Sequence, residues 1–175
     1  MSRFKIFTFI ALITLSFGVA LIGDALAGEK IKVQARNVFH LTEVTSHPVE
    51  DVEGHVMILY KGEGVELLKG GELVSTLNRG YLDYIKGKGP FHGYTTSTYR
   101  DGSTIVSKWQ GDATVSEWKE EGSDKVLVIR SGKGTNIFVG GTGRFKGIEG
   151  RGTFSYTTVT PRWVVAEEDF EYTLP

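Results

Sequence analysis

The most constraining feature of this chain is a glycine-rich stretch between two β-prone segments near its C-terminal end. Six glycines fall between Phe138 and Phe154, and glycine adopts positive φ angles and permits close backbone approach without a Cβ clash. Within the stretch, Phe145 and Ile148 are three residues apart, the spacing that places two side chains on one side of a helical turn. The pattern predicts a strand, a glycine turn, a single helical turn and a second strand, forming the corner of a closed or strongly coiled sheet.

Two nucleotide-binding motifs are similar to this stretch in composition, and both fail on spacing. A dinucleotide-binding motif that begins at Gly141 needs its third glycine where Lys146 stands. A phosphate-binding P-loop ends in Gly-Lys-Ser/Thr, whereas Lys146 is followed by Gly147 and Ile148. Both motifs also need a long helix, which the later glycines disfavour. The stretch therefore predicts a structural corner and not a phosphate site.

The segment from Gly140 to Gly150 (GGTGRFKGIEG) resembles the GGTGxFxG segment of allene oxide cyclases and, more loosely, that of plant dirigent proteins. Outside this segment the likeness is limited to chain length and an all-β pattern. The resemblance implies an eight-stranded antiparallel β-barrel, related in shape to lipocalins, with an apolar cavity. It also allows a homo-oligomer, because trimers occur in the resembling families.

The same resemblance implies one candidate activity. Allene oxide cyclases use no cofactor: an apolar barrel folds a reactive fatty-acid epoxide, and a carboxylate with a bound water steers ring closure. Their catalytic positions do not align with this chain outside the glycine corner, so the resemblance assigns no catalytic residue. The cysteine of the plant cyclase cavity has no counterpart, since this chain contains no cysteine.

The N-terminal residues have the pattern of a secretory signal. Arg3 and Lys5 are followed by an uncharged apolar run from Phe7 to Gly23, and Ala25-Leu26-Ala27 supplies small residues for cleavage. We therefore expect residues 1–27 to be a signal peptide and residues 28–175 to be a single secreted or periplasmic domain without stable membrane insertion. The alternative is an uncleaved membrane anchor, for which the run is slightly short.

The remaining residues show the period-two alternation of β-strands and no sustained helical period. The formal net charge of −1 does not indicate the excess of basic residues that is typical of nucleic-acid-binding domains. Asp101-Gly102 marks a hairpin, and Lys61–Gly64 is predicted to be a turn, with Gly80 marking a bulge or bend. About eight strands at short spacing without crossover helices predict an all-β, closed antiparallel eight-stranded barrel. The predicted strands cover residues 30–45, 55–60, 73–85, 91–99, 103–118 with a break at Gly111, 125–131, 136–139, 153–160 and 163–174.

Four polar residues on otherwise apolar strand faces are candidates for a ligand site. Glu168 shares a face with Val164, Ala166, Phe170 and Tyr172, so an inward orientation would desolvate it and raise its pKa, as proton transfer requires. The alternative is a position at the rim or beside an arginine. The other three candidates are Asn37, Arg130 and Tyr156. Each could hold a polar ligand group in an apolar cavity. The alternative for each is a purely structural role, in core packing or at a strand end that faces solvent.

Other site chemistries lack their motifs. His40, His47, His55 and His92 do not show the spacing of a zinc site, and no Gly-x-Ser-x-Gly nucleophile elbow occurs. We therefore expect neither a metal nor a cofactor. The leading hypothesis is a barrel that binds a small apolar or amphipathic molecule. The alternatives are a cofactor-independent cyclase or isomerase that uses the same cavity, and a filled barrel that serves as a structural or interaction module.

Overall fold

The computed structural model describes residues 29–119 and 126–175. The predicted signal peptide lies outside the described residues. The only helix in these two ranges is a short 3₁₀ turn, and no helix there is long and apolar enough to cross a membrane. The elements are β1 (Ile31–Pro48), β2 (His55–Leu68), β3 (Leu73–Ile85), β4 (Lys88–Thr98), β5 (Thr104–Lys119), β6 (Val126–Gly141), the 3₁₀ turn (Gly143–Phe145), β7 (Glu149–Thr158) and β8 (Trp163–Thr173).

The eight strands form one closed barrel in sequence order. Each strand pairs antiparallel with its neighbours in the chain, and β1 closes the barrel by pairing with β8 from Ile31↔Tyr172 to His40↔Trp163. The prediction of an all-β, closed antiparallel eight-stranded barrel is confirmed. Closure leaves no unpaired sheet edge, which is the exposed feature that makes open sheets prone to aggregation.

The predicted turn at Lys61–Gly64 is wrong, because β2 continues through it to Leu68. A Cβ at Gly62 would collide with the ring of Phe39 on β1, so this glycine makes room for an aromatic ring inside the barrel. A Cβ at Gly64 would collide with the backbone of β1 at Val38 and Phe39, so this glycine permits close approach of the two strands. A bulge at Gly80, one of the two irregularities predicted there, is likewise absent, since the β2–β3 register runs through it without a shift. These inward glycines are therefore positions where another part of the barrel packs closely against the strand. From the sequence alone they cannot be distinguished from glycines in turns.

The breaks predicted in the fifth and sixth strands are also wrong. β5 runs through Gly111, and the two segments 125–131 and 136–139 belong to a single strand, β6. A Cβ at Gly111 would collide with Phe91 and with the backbone of Lys133 on β6. Glycine here permits close approach between neighbouring strands rather than ending one of them.

The glycine corner closes one end of the barrel, which we call the base. Gly143 has φ +58° and begins the 3₁₀ turn. Phe145 and Ile148 are 3% and 5% exposed. They pack in one apolar cluster together with Val74, Tyr99, Ile105, Leu68, Phe138, Tyr172 and Leu174. The predicted corner, with a helical turn that buries both residues, is confirmed.

The corner yields a prediction about two adjacent glycines. A Cβ at Gly141 would overlap the side chain and carbonyl oxygen of Phe145, whereas a Cβ at Gly140 would meet no atom within 4 Å. We expect Gly141→Val to lower the free energy of unfolding by roughly 1–3 kcal/mol, the usual cost of overpacking. Gly140→Val should be close to wild type in urea or thermal unfolding. Equal stability of the two variants would contradict the corner packing.

Candidate functional site

A cavity of about 270 Å³ occupies the interior of the barrel. The apolar cluster of the glycine corner closes it at the base. At the opposite end, which we call the mouth, it reaches the surface beside Val44, Ser46, Pro161 and Arg162, all of which are exposed. Within the part of the chain that the structure describes, the cavity is therefore a blind pocket, closed at the base and open at the mouth.

All four residues selected from the sequence line this cavity: Asn37, Arg130, Tyr156 and Glu168. Asn37 is buried and Glu168 is half-buried. Arg130 lies towards the mouth, where its backbone N–H donates to Thr158 Oγ1 at the end of β7 (2.8 Å). The face of β8 that carries Glu168 points inward, since Val164, Ala166 and Phe170 line the cavity together with Glu168. The alternative of a rim position for Glu168 is excluded.

A second carboxylate, Glu66, was missed by the sequence analysis. It lies on β2, is 5% exposed and lines the same cavity. The predicted turn at residues 61–64 ended the strand before this residue. Continued alternation from Ile58 and Tyr60 through the two glycines to Glu66 was the signal that could have identified it.

The closure of the barrel brings the two carboxylates together. β1 lies between β2 and β8, and its inward residues Ala35 and Asn37 pair with Glu168 and Glu66 respectively. Since Ala35 carries only a methyl group, little side-chain volume separates the two acids. Their charges interact, because Glu168 is among the groups that raise the pKa of Glu66.

Both acids titrate far above the usual range of a glutamate. Burial raises the pKa of Glu66 to about 8, the charge of Glu168 adds to the rise, and a hydrogen bond from Ser97 opposes it. Burial raises the pKa of Glu168 to about 7 against a hydrogen bond from Asn37. Asn136 Nδ2 also donates to Glu168 Oε2 (3.5 Å). Two amide donors favour the anion of Glu168, so near pH 7 the pair retains a proton mainly on Glu66.

A chain of hydrogen bonds fixes the orientation of Asn78 beside this pair. Trp109 Nε1 donates to Thr95 Oγ1 (2.9 Å), and Thr95 Oγ1 donates to Asn78 Oδ1 (2.6 Å). An indole N–H can only donate, so the Thr95 hydroxyl accepts from Trp109 and must send its own hydrogen to Asn78. The receiving atom of Asn78 is therefore its carbonyl oxygen, and Nδ2 points away from Thr95.

The same logic orients Asn37. Thr76 Oγ1 donates to Asn37 Oδ1 (3.1 Å), which leaves the Asn37 amide nitrogen to donate to Glu168. Thr76 is 2% exposed and Asn37 is 3% exposed, so this bond is shielded from water. Asn37 thereby positions the Glu168 carboxylate as well as lining the cavity.

Aromatic rings form the wall between the two acids and the mouth. Phe91 contacts Trp109, Phe154 and Tyr156, with ring centroids 5.8, 5.9 and 5.5 Å away. Burial raises the pKa of Tyr156, which therefore stays a neutral hydroxyl. The mouth is basic, since Arg130 and Arg162 both line it. The cavity is consequently acidic and amide-rich towards the base, aromatic along its wall and basic at its mouth.

Within the described ranges, no group of three or more His, Cys, Asp and Glu residues is placed to hold a metal ion. His55 does lie between two carboxylates. Its Nδ1 is 2.5 Å from Asp51 Oδ1 and its Nε2 is 2.6 Å from Asp83 Oδ1, and both contacts raise the pKa of the imidazole. Both ring nitrogens are thus engaged in hydrogen bonds that hold the loop after β1 against β3.

No protein-family model and no curated protein sequence matches this chain. Among solved structures, the chain is similar to the pterocarpan synthase dirigent protein PsPTS1, with a TM-score of 0.44 and 15% identity over 83% of this chain and 95% of that one. It is also similar to the pterocarpan synthase dirigent protein GePTS1, with a TM-score of 0.44 and 14% identity over 94% of this chain and all (100%) of the other. The fold described above rests on the strand pairing of this chain itself. The resemblance to allene oxide cyclases stays a prediction.

Proposed function

We propose that this barrel binds one small apolar or amphipathic molecule in its central cavity. The observation that carries the proposal is the blind pocket of about 270 Å³ with a mainly apolar wall and a few convergent polar groups. This is the usual composition of small-molecule sites, whose volumes begin near ~300 Å³. The size favours a compact ligand over one that needs a large chamber.

The same cavity argues against a filled barrel. An eight-stranded barrel can be filled completely by its own side chains. Here, glycines occupy inward positions such as Gly62 and Gly80, where their missing side chains are replaced by Phe39 and Trp109 rings from the wall. The rings stay near the wall, and the centre remains open between the acid pair and the mouth.

The proposal is tested by filling the cavity from its wall. Ala166 is 5% exposed and lines the cavity on β8. We expect the wild type to bind one equivalent of an environment-sensitive apolar dye, and Ala166→Leu to weaken binding at least 10-fold because leucine occupies ligand volume. Native mass spectrometry of the purified protein should also show a bound small molecule that is lost on denaturation.

The matched control is Glu167→Gln, which alters the exposed neighbour of Ala166 on the outer face. Thermal unfolding of each variant shows that the barrel is intact. Failure of the wild type to bind, or equal binding by Ala166→Leu, would remove the proposed function.

A second candidate function is a cofactor-independent isomerase or cyclase. It is favoured by one specific observation, the pair of cavity-facing carboxylates Glu66 and Glu168, whose pKa values of about 8 and about 7 lie near neutral pH. A general acid or base is most effective when its pKa is close to the working pH, and two acids in different environments can divide the acid and base roles. Export of the chain, a homo-oligomer and the absence of a cofactor stay predictions.

A further inference from the structure

We propose that the inner part of the cavity is a hydroxyl-recognition site, formed by Asn78 and Asn136 together with the carboxylate pair, which selects apolar ligands that carry a hydroxyl group. This inference rests on the proposed function and narrows it to a ligand class. It derives from two buried polar atoms that have no hydrogen-bond partner in the described part of the chain and whose residues line the same cavity as the two acids.

The first of these atoms is Asn78 Nδ2. Asn78 is 4% exposed and lines the cavity, and its Nδ2 has no hydrogen-bond partner among residues 29–119 and 126–175. In the hydrogen-bond chain from Trp109 through Thr95, the carbonyl oxygen of Asn78 is the final acceptor. The amide hydrogens of Asn78 take no part in this chain. On the other side, Asn78 pairs with Gly62, where the apolar ring of Phe39 takes the place of a side chain and offers the amide no oxygen or nitrogen acceptor. The site therefore offers an unused donor.

The second atom is Asn136 Oδ1. Asn136 is 5% exposed and lines the cavity, and its Nδ2 is engaged by Glu168 while Oδ1 has no partner in the described part of the chain. Its neighbour on β7 is Gly152, where an added Cβ would lie 2.6 Å from this oxygen. Glycine at this position thus makes room for the oxygen, which remains an unused acceptor.

A hydroxyl group matches this arrangement because it donates one hydrogen bond and accepts others. It can accept from Asn78 Nδ2 or protonated Glu66, and it can donate to Asn136 Oδ1 or ionised Glu168. A carboxylate ligand would be repelled by Glu168. A protonated amine would leave the Asn78 donor unused. An alkyl group would leave both amides without hydrogen bonds. Sites that hydrogen-bond a hydroxyl reject analogues without one most strongly, because their buried polar groups are then left unpaired. Water is the remaining competitor, since buried water commonly satisfies such atoms.

The test compares two ligands of the same shape, 2-naphthol and 2-methylnaphthalene, by isothermal titration calorimetry at pH 7. Methyl is the more apolar substituent, so burial alone favours 2-methylnaphthalene. We expect 2-naphthol to bind at least 10-fold more tightly. We also expect Asn136→Leu and Asn78→Leu to remove this preference while binding of 2-methylnaphthalene is retained, which shows that the pocket is intact.

The outcomes separate this inference from the proposed function. Binding of both ligands with equal affinity, or with a preference for 2-methylnaphthalene, would mean that water satisfies the amides. That result would overturn hydroxyl recognition and leave the binding function standing. Binding of neither ligand would overturn both proposals. If Asn78→Leu does not fold, the preference of the wild type and its loss in Asn136→Leu still decide the question.

Discussion

At pH 9, Glu66→Gln should raise the free energy of unfolding by on the order of 2–5 kcal/mol, while at pH 5 it should change it by less than about 1 kcal/mol. Burial raises the pKa of Glu66 from 4.5 in the unfolded chain to about 8 in the barrel. Between these values the folded protein holds a proton that the unfolded chain has released. The contribution of Glu66 to stability is therefore greatest below about pH 4.5 and falls as the pH rises towards 8. Glutamine keeps the shape of the protonated acid and cannot ionise.

Urea unfolding at a series of pH values measures this effect. Glu63→Gln is the matched control, because Glu63 lies on the same strand, is exposed and has a pKa lowered by Lys61. Removal of its charge should not stabilise the protein at pH 9. A wild type and a Glu66→Gln variant whose stabilities run parallel from pH 5 to pH 9 would show that Glu66 is not desolvated, and the acid pair would lose its basis.

The second large effect distinguishes binding from catalysis. If the barrel only binds its ligand, Glu168→Gln should leave apolar-ligand affinity equal or higher, because a desolvated carboxylate is costly to keep buried. If the barrel is a cyclase or isomerase that transfers a proton through Glu168, the same substitution should lower turnover by roughly 10²–10⁴-fold with little change in binding. The measurements are dye displacement and turnover of a fatty-acid epoxide of the kind that allene oxide cyclases close.

Glu167→Gln provides the control for this experiment. Glu167 is the next residue on β8, but it faces outward and pairs with Arg36 at 2.6 Å on the surface. Turnover by the wild type that collapses in Glu168→Gln and persists in Glu167→Gln would replace binding with catalysis as the function. Undiminished affinity in both variants, without turnover in any protein, would support the binding function.

Period-two alternation was sufficient to predict which residues of β8 share a face with Glu168, because successive side chains of a strand point to opposite sides of the sheet. That this face points into the barrel came from the structure. The glycine corner was also local. Positive φ at Gly143 and the three-residue spacing of Phe145 and Ile148 belong to residues within a few positions of one another. Asn37, Arg130, Tyr156 and Glu168 could be selected for the same reason, since each is a polar side chain on an apolar strand face.

Glycines within strands were the main source of error. Gly62, Gly64 and Gly111 lie in strand interiors, where Gly62 and Gly111 make room for aromatic rings from other strands and Gly64 permits close approach of the β1 backbone. The same residue type marks turns in other parts of the chain, such as Gly102 with φ +82°. Whether a glycine forms a turn or makes room within a strand depends on contacts from other strands. The local sequence does not specify those contacts.

By itself, the sequence determined most of the strand pattern, the corner and the set of β8 residues that share a face with Glu168. Only the tertiary structure decided that Glu66 would face Glu168, since β2 and β8 meet across β1 when the barrel closes. The unsatisfied amides of Asn78 and Asn136 are tertiary in the same sense, because each amide orientation is set by a partner on another strand. Local periodicity determines which side of a strand a residue occupies. The registers of the intervening pairings determine what lies opposite, and those registers are a property of the whole closed sheet.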